Sequence, residues 1–229
     1  MKVLIACEYS GAVRDAFIKQ GHDAMSCDLL PTDVDGPHYQ GSVTDILNDG
    51  WDLMIAHPPC TYLTVTGNKW FYHPEDKHLE PKDRRPHPRF PNRKQQREEA
   101  AEFFMMLWEA SIPRVAIENP VGYMSTYFRK PDQYVQPYEY GDAERKRTGL
   151  WMRGLPKLKP TNIVEPVVIK YKNGRGTDSK WHMDTMKLPP HERMKARSKT
   201  FQGIADAMAE QWGRKLCPLH QLPRQMELI

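Results

Sequence analysis

Short apolar runs alternate with an amphipathic stretch over the first sixty residues. Val13, Phe17 and Ile18 recur at helical spacing, and Gly21 ends the helix that they predict. Nearly continuous apolar runs predict strands at 2–7, 23–29 and 51–56. Strands joined by a helix and short turns favour a parallel sheet with right-handed crossovers.

The rest of the chain divides into three kinds of pattern. Helices are predicted at 95–110 and 201–215, each with one apolar face, and strands at 113–117, 135–140 and 149–152. The segment 64–94 is rich in proline and charge, which is typical of an insert rather than a core element. Residues 155–199 show little periodicity. The pattern as a whole predicts an α/β domain with helices on both faces of a mostly parallel sheet.

Composition narrows the classes of protein. A chain of 229 residues with 39% hydrophobic residues suits one α/β domain, and its net charge of +4 permits a polyanionic partner. Since no apolar run approaches ~18 residues, no membrane span is expected. Glu8 interrupts the first apolar run, so the N-terminal segment is not interpreted as a secretory signal. We therefore expect a cytoplasmic protein. The four cysteines are then expected to be free thiols.

Metal binding is not expected. Cys217 and His220 have a Cys-x-x-His spacing, but no second pair accompanies them. The simpler interpretation is a turn in the tail.

The first strand, turn and helix form a candidate ligand site. A turn that contains Gly11 and opens a helix lets backbone N–H groups approach an anionic ligand. Asp28, at the end of the second strand, is placed to accept hydrogen bonds from ribose hydroxyls. Alternatively, Gly11 only permits the tight turn and Asp28 only caps it.

Cys60 is the strongest chemical candidate. It follows a buried strand through His57-Pro58-Pro59, so its thiol is expected at the carboxyl edge of the sheet, where open α/β sheets bind ligands. Two prolines make the loop rigid and present the thiol in a fixed direction. The alternative is a buried structural cysteine, which is the usual role of a lone cysteine.

Two further groups could act with Cys60. Glu118-Asn119-Pro120 ends another predicted strand, and its carboxylate would lie beside the Cys60 loop if the two strands are neighbours. A basic cluster occupies 144–148. The alternatives are a helix cap or surface turn for the first group and a solvated hairpin tip for the second.

In their order and spacing these motifs resemble the DNA cytosine-C5 methyltransferase family. Pro59-Cys60 is similar to its nucleophile loop, Glu118-Asn119 to its Glu-Asn-Val motif, and Arg145-Lys146-Arg147 to its Arg-x-Arg motif. Gly11, Asp28, Asp45-Ile46 and the late helix with Gln202-Gly203 are similar to motifs in the cofactor-binding half of that family. The resemblance covers roughly 1–63, 110–152 and 198–212.

The resemblance implies a Rossmann-like fold and transfer of a methyl group from S-adenosylmethionine to C5 of a cytosine flipped out of duplex DNA. Cys60 would add to C6, Glu118 would hold or protonate N3, and Arg147 with Arg145 would lie at O2, with Asn119 completing the motif. The residues expected at the cofactor are Glu8, Tyr9, Ser10, Gly11, Asp28, Leu29, Asp45, Ile46, Pro58, Gln202 and Gly203.

The insert would supply part of the nucleic-acid contact. Between 69 and 97 there are nine cationic and four anionic side chains, interleaved with four aromatic rings, a pattern suited to phosphate contact and base stacking. The residues expected at DNA are Lys69, Arg84, Arg85, Arg89, Arg93, Lys172 and Arg175. The alternative is a solvated mobile loop.

The predicted organisation follows from these assignments. Residues 1–154 and 198–216 form the catalytic domain, 64–94 the insert, 155–197 a reduced DNA-recognition region and 217–229 a tail. The size favours a phage or prophage protein acting in a bacterial cytoplasm. Amino-methyltransferases, which carry an aromatic residue after Pro-Pro where this chain has Cys60, fit less well.

Two alternatives for the function stay open. One is the same chemistry on RNA or a free pyrimidine nucleotide, and the other is a non-catalytic DNA-binding protein that retains the fold.

Overall fold

A seven-stranded sheet forms the centre of the molecule, in a computed structural model that describes residues 1–171 and 176–214. The strand order is β3-β2-β1-β4-β5-β7-β6, and β7 alone runs antiparallel to its neighbours. The strands are β1 (Lys2–Ala6), β2 (Asp23–Asp28), β3 (His38–Gln40), β4 (Leu53–Ala56), β5 (Arg114–Pro120), β6 (Gln133–Val135) and β7 (Thr148–Arg153). The predicted Rossmann-like, mostly parallel sheet is confirmed.

Helices cover both faces of this sheet, as predicted. The helices are α1 (Ala12–Lys19), α2 (Arg93–Glu109), α3 (Met124–Tyr127), α4 (Lys180–Met186), α5 (Pro190–Ser198) and α6 (Gln202–Trp212). On one face, Val3 and Ile5 of β1 pack in a core with Phe17 of α1 and Met208 of α6. Leu4, which alternates with them along the strand, packs in the core that α2 covers.

The parallel register aligns three strand ends at one edge. Ala6 of β1 pairs with Ala56 of β4, which in turn pairs with Ile117 of β5. Because parallel strands end at the same edge, the residues that follow them lie side by side. This register brings His57 and Glu118 next to each other and leads the chain directly into the Cys60 loop.

The insert folds into three short 3-10 turns, Val65–Trp70, Pro74–His78 and Pro81–Asp83, before α2 begins. Between β7 and α4 along the chain, β8 (Val168–Lys170) and β9 (Thr177–Ser179) pair as a small antiparallel sheet. Among the helices of the described residues, none is long and apolar enough to cross a bilayer.

Three details differ from the sequence prediction. Of the strand expected at 135–140, only Val135 belongs to a strand, as the last residue of β6, because Pro137 lacks an N–H and begins a 3-10 turn that Gln136 and Glu139 cap reciprocally. β3 was not predicted, since its sequence His-Tyr-Gln has no apolar pattern. The weakly patterned region 155–199 contains β8, β9, α4 and α5.

Candidate active site

The Cys60 loop turns sharply away from the end of β4. The amides of Leu63 and Thr64 both donate to the Cys60 carbonyl oxygen, at 3.0 and 3.1 Å. Pro58 is buried, while the Cys60 side chain is only partly exposed. The loop is therefore a closed turn that presents the thiol at the carboxyl edge of the sheet, as predicted.

Three contacts join this loop to the end of β5. His57 Nδ1 lies 3.2 Å from Glu118 Oε2, and Asn119 Nδ2 donates to the Pro58 carbonyl at 3.4 Å. Further along these two segments, the Tyr123 amide donates to the Leu63 carbonyl at 2.7 Å. The structure thus brings together Cys60, Glu118 and Asn119, which the sequence predicted as neighbours.

Glu118 is held as a carboxylate. Burial acts to raise its pKa, but the hydrogen bond from His57, the nearby Lys146 cation and the Thr148 hydroxyl together lower the pKa below the usual value. An ionised carboxylate can only accept, so His57 Nδ1 carries the proton of their hydrogen bond. The other ring nitrogen, Nε2, is buried and has no hydrogen-bond partner among the described residues.

The Cys60 thiol is held in its neutral form. Burial raises its pKa, and the Glu118 carboxylate raises it further, while Lys146 opposes both effects. The site therefore combines a protonated thiol with an ionised carboxylate and one cation. Such an arrangement favours transfer of the thiol proton only when a ligand stabilises the products.

The basic cluster meets the site through Lys146. Lys146 Nζ donates to the carbonyl oxygens of Arg197 and Lys199, and its charge acts on both Glu118 and Cys60. The two predicted arginines contact other groups. Arg147 stacks 3.9 Å from the Tyr134 ring, and Arg145 donates to Thr177 at 3.0 Å.

In this structure Lys146 is thus the residue of the basic run beside Glu118, and the roles of Arg145 and Arg147 at the base stay predictions. Thr148, opposite Pro120 in the sheet, faces Glu118 together with Lys146.

A cavity of about 150 Å³ lies at the carboxyl ends of β1 and β2. Its walls are Cys7, Cys27, Asp28, Leu29, Gly41, Ser42, Val43, Pro59 and Phe103. Pro59 belongs to the Cys60 loop, so the cavity adjoins that loop. Asp28 Oδ1 accepts from the Leu30 amide at 2.9 Å, which fixes the carboxylate at the rim. Asp28 and Leu29 were predicted for the cofactor and do line this cavity.

The residues of the first turn perform other tasks. Both Glu8 oxygens face α1, because they accept from the amides of Val13 and Arg14 at 2.8 and 3.3 Å. Ser10 donates to Glu8, and the Tyr9 hydroxyl donates to the Lys195 carbonyl. None of these three side chains lines the cavity.

Gly11 has a conformational reason to be glycine. Its φ is +76°, and a Cβ there would lie 2.6 Å from the Arg14 guanidinium and from Val34. The buried Arg14 side chain and the turn at Gly11 thus require each other, and the predicted contact of Gly11 with a cofactor is not needed to explain this residue.

The other predicted cofactor residues also lie outside the cavity. Asp45 accepts from the Tyr39 hydroxyl at 3.0 Å, and Ile46 packs in the core. Pro58 is buried behind the loop, and Gln202 donates to Asp206. At Gly203 a Cβ would collide with the Tyr140 carbonyl, so this glycine serves close packing of α6.

Residues that the sequence did not reveal complete the site. Gly41, Ser42 and Val43 line the cavity because they follow β3, which was not predicted. Phe103 comes from α2, whose apolar residues were all assigned to the core. His57 was seen only as part of the rigid loop, and an imidazole before Pro-Pro is the one signal that could have pointed to it.

The predicted nucleic-acid contacts fall into two groups. Lys69 and Arg89 are exposed and stack on Trp70 and Phe90 respectively, and Arg84 lines a cavity in the insert. Lys172 and Arg175 lie outside the described residues. These five remain predictions.

Arg85 and Arg93 also contact other groups of the chain. Arg85 Nη2 pairs with Asp76 at 2.6 Å, and the pKa of Asp76 is lowered accordingly. Arg93 is only 6% exposed and donates to the Thr61 carbonyl at 3.1 Å. Both arginines help to hold the insert together, and their contact with DNA stays a prediction.

Comparison with known proteins gives structural similarity only. No family model matches the chain, and no curated protein sequence does. A protein assigned as a DNA modification methyltransferase encoded within an Escherichia coli prophage has a similar structure, with a TM-score of 0.44, 16% identity and coverage of 73% of this chain and 52% of that one. A mutant of Spodoptera frugiperda DNMT2 is similar with a TM-score of 0.41, 13% identity and coverage of 73% and 57%.

This chain therefore spans just over half the length of either structure. The fold and site together define a Rossmann-like α/β protein with a thiol and a carboxylate at the carboxyl edge of its sheet. Within the described residues, no group of three or more His, Cys, Asp or Glu side chains is placed to hold a metal ion.

Proposed function

We propose that this chain is an S-adenosylmethionine-dependent methyltransferase that modifies C5 of cytosine in DNA through a covalent bond from Cys60 to C6. The observation that carries the proposal is the junction of the Cys60 loop with Glu118 through His57 and Asn119, beside a cavity bounded by Pro59. Cytosine C5 becomes nucleophilic only after a nucleophile adds to C6, and this edge holds a thiol next to a proton-accepting carboxylate.

The residues lining the cavity fit the proposed cofactor. Asp28 offers a carboxylate for ribose hydroxyls, and Phe103, Val43 and Pro59 offer apolar surface for a flat base. When bound, S-adenosylmethionine would supply the methyl group. Pro59 lines the cavity and directly precedes Cys60. The thiol and the cofactor would therefore act on the same base.

The protonation states of the site suggest how Cys60 is activated. Glu118, ionised, takes the proton of the Cys60 thiol as sulfur bonds to C6, and passes it to N3 of the cytosine. The electron pair of the C5–C6 double bond is then available at C5. After methyl transfer to C5, loss of the C5 proton to solvent restores the C5–C6 double bond and expels Cys60 as a thiolate, and the N3 proton returns through Glu118 to that thiolate.

Lys146 and His57 keep Glu118 ionised until the base arrives. Lys146 also offers the cation that the sequence assigned to Arg147, and its position fits an oxygen of the base. The exposed cations of the insert support a polyanionic substrate.

Trapping of a covalent adduct tests this function. DNA containing 5-fluorocytosine and cofactor should give a complex that survives denaturing electrophoresis, since fluorine at C5 prevents expulsion of Cys60. Cys60→Ser should abolish trapping, whereas Cys217→Ser, at a cysteine assigned to neither the site nor the cofactor cavity, serves as a matched thiol control and should retain it. Equal trapping by Cys60→Ser would overturn the assignment.

Parallel reactions separate the substrate alternatives. The same assay with RNA of equal sequence and with the free nucleotide 5-fluoro-dCMP shows which form of cytosine is used. Binding of DNA without any trapped adduct would instead favour a non-catalytic DNA-binding protein.

A further inference from the structure

A second cavity, of about 430 Å³, lies between the insert and the start of α2. It falls within the volume range of pockets that hold small molecules, about 300–1,000 Å³. Its walls are Phe71, Tyr72, Pro81, Lys82, Arg84, Pro86, Pro91, Lys94, Arg97, Glu98 and Tyr123. None of them belongs to the proposed active site or its cofactor cavity.

The charges of this insert cavity are unbalanced. Four cations line it against the single carboxylate of Glu98. Arg84 donates to the carbonyl oxygens of Leu79 and Lys77, and Arg97 to Tyr62 and Asn68, so the partners that orient both guanidiniums are uncharged.

The two lysines are more available still. Within residues 1–171 and 176–214, no carboxylate lies within 4.0 Å of Lys82 or Lys94, and both side chains are exposed. Arg85, by contrast, is neutralised by Asp76 and does not line the cavity. These cations are therefore free to contact an anionic ligand.

Aromatic rings stand beside the cations. The Arg84 guanidinium lies 5.6 Å from the Tyr72 ring, and that of Arg97 lies 3.7 Å from Phe71 and 4.8 Å from Tyr123. Tyr72 is 38% exposed, so part of its ring remains open to a ligand. Rings beside phosphate-binding cations are the usual means by which proteins hold an unpaired nucleotide.

The insert cavity is joined directly to the nucleophile loop. Arg97 Nε donates to the Tyr62 carbonyl at 2.9 Å, and the Tyr123 amide donates to the Leu63 carbonyl at 2.7 Å. Both acceptors belong to the turn that begins at Cys60. A nucleotide bound here would therefore lie against residues that contact this turn.

We propose that the insert cavity binds one unpaired nucleotide, with its base against Tyr72 and its phosphate between Lys82 and Lys94. Resting on the proposed function, we assign this unit to the substrate strand, next to the cytosine that reacts. The same chemistry would recognise a free nucleoside monophosphate, which the test separates.

Fluorescence anisotropy with a labelled single-stranded 12-residue DNA tests the proposal without requiring methyl transfer. Tyr72→Ala should weaken binding about tenfold, whereas Tyr72→Phe, which keeps the ring, should bind as the parent does. Lys82→Ala/Lys94→Ala should weaken binding and reduce the slope of log K against log salt by about 1.

The matched control is Lys77→Ala/Lys130→Ala, which removes the same charge at two exposed lysines that line neither cavity and are not among the residues expected at DNA. Equal losses of affinity in the two double variants, or equal binding by Tyr72→Ala and Tyr72→Phe, would overturn the proposal. Thermal unfolding of each variant confirms that the exposed substitutions leave the fold intact.

Titration with free dCMP separates the two sources of nucleotide. If the site belongs to the strand, dCMP binds far more weakly than the 12-residue DNA. Tight dCMP binding that Tyr72→Ala abolishes would assign the site to a free nucleotide and overturn its assignment to the strand. Cys60 trapping is a separate measurement, so failure of the proposed function and failure of this site are distinguishable.

Discussion

The thiol of Cys60 titrates above its ordinary range because it is buried and faces Glu118. The thiolate is the reactive form, so alkylation of Cys60 by iodoacetamide should accelerate as pH rises and keep accelerating beyond pH 9. Glu118→Gln removes the neighbouring anion and lowers the thiol pKa, so alkylation at pH 8 should become several-fold faster. Mass spectrometry of the peptide containing Cys60 measures the rate.

The same substitution should slow the proposed reaction, because Glu118 would no longer accept the thiol proton. Faster alkylation with adduct trapping reduced at least about a hundredfold is therefore the expected combination. Lys146→Gln, which removes the cation, should shift alkylation in the opposite direction. If Glu118→Gln leaves the pH profile of alkylation unchanged, Glu118 does not act on Cys60.

The residues of the site differ in how far sequence could predict them. Cys60 and Glu118 follow strands with clear apolar patterns, so their shared edge could be predicted before their contact was known. Lys146 could not be distinguished from Arg145 and Arg147, because the direction of a side chain in a basic run depends on where β7 begins. His57 faces Glu118 only through the register of β4 and β5.

At the scale of elements, α1 depends on Glu8 for its start. The helix begins after Gly11 without a side-chain cap from that residue, and Glu8 accepts from two of its first amides instead. Glu8→Ala should therefore destabilise the protein by about 1–2 kcal/mol, as expected for loss of a helix cap. Urea unfolding measured by circular dichroism gives the free energy of unfolding.

Two variants make this experiment specific. Glu8→Gln keeps one acceptor oxygen and should lose less stability. Ser10→Ala, which removes a donor to Glu8 and a 3.4 Å acceptor of the Ala12 amide, should lose least. Should Glu8→Ala instead unfold at the parent's urea concentration yet bind S-adenosylhomocysteine more weakly, Glu8 would be a cofactor residue, as the resemblance implied.

The elements predicted well are those buried on both faces. β1, β4 and the first part of β5 are apolar runs between helices or turns, and their burial makes the pattern almost independent of context. β3 and β6 have only three residues each and carry polar side chains, so their pairing is decided by the neighbouring strands. The cavity residues Gly41 to Val43 were missed for that reason.

At the scale of the whole molecule, Arg93 connects the insert with the edge of the sheet. It is the first residue of α2, it bonds to Thr61 next to Cys60, and its guanidinium lies 5.4 Å from the Phe71 ring and 5.8 Å from Phe90. These contacts argue against the alternative in which the insert is a solvated mobile loop. The insert and the nucleophile loop should order together.

Arg93→Ala tests this coupling. Loss of a buried charged hydrogen bond and its ring contacts costs about 2 kcal/mol or more, enough to raise the open fraction of the insert at least about tenfold. Cleavage by chymotrypsin at the insert aromatics should accelerate accordingly, and Cys60 should be alkylated faster at equal pH, while the main unfolding transition of the sheet is retained. Arg89→Ala, which removes an exposed arginine of the same insert, should cleave at the parent's rate. Equal cleavage of the two variants would mean that the insert folds independently of the Cys60 loop.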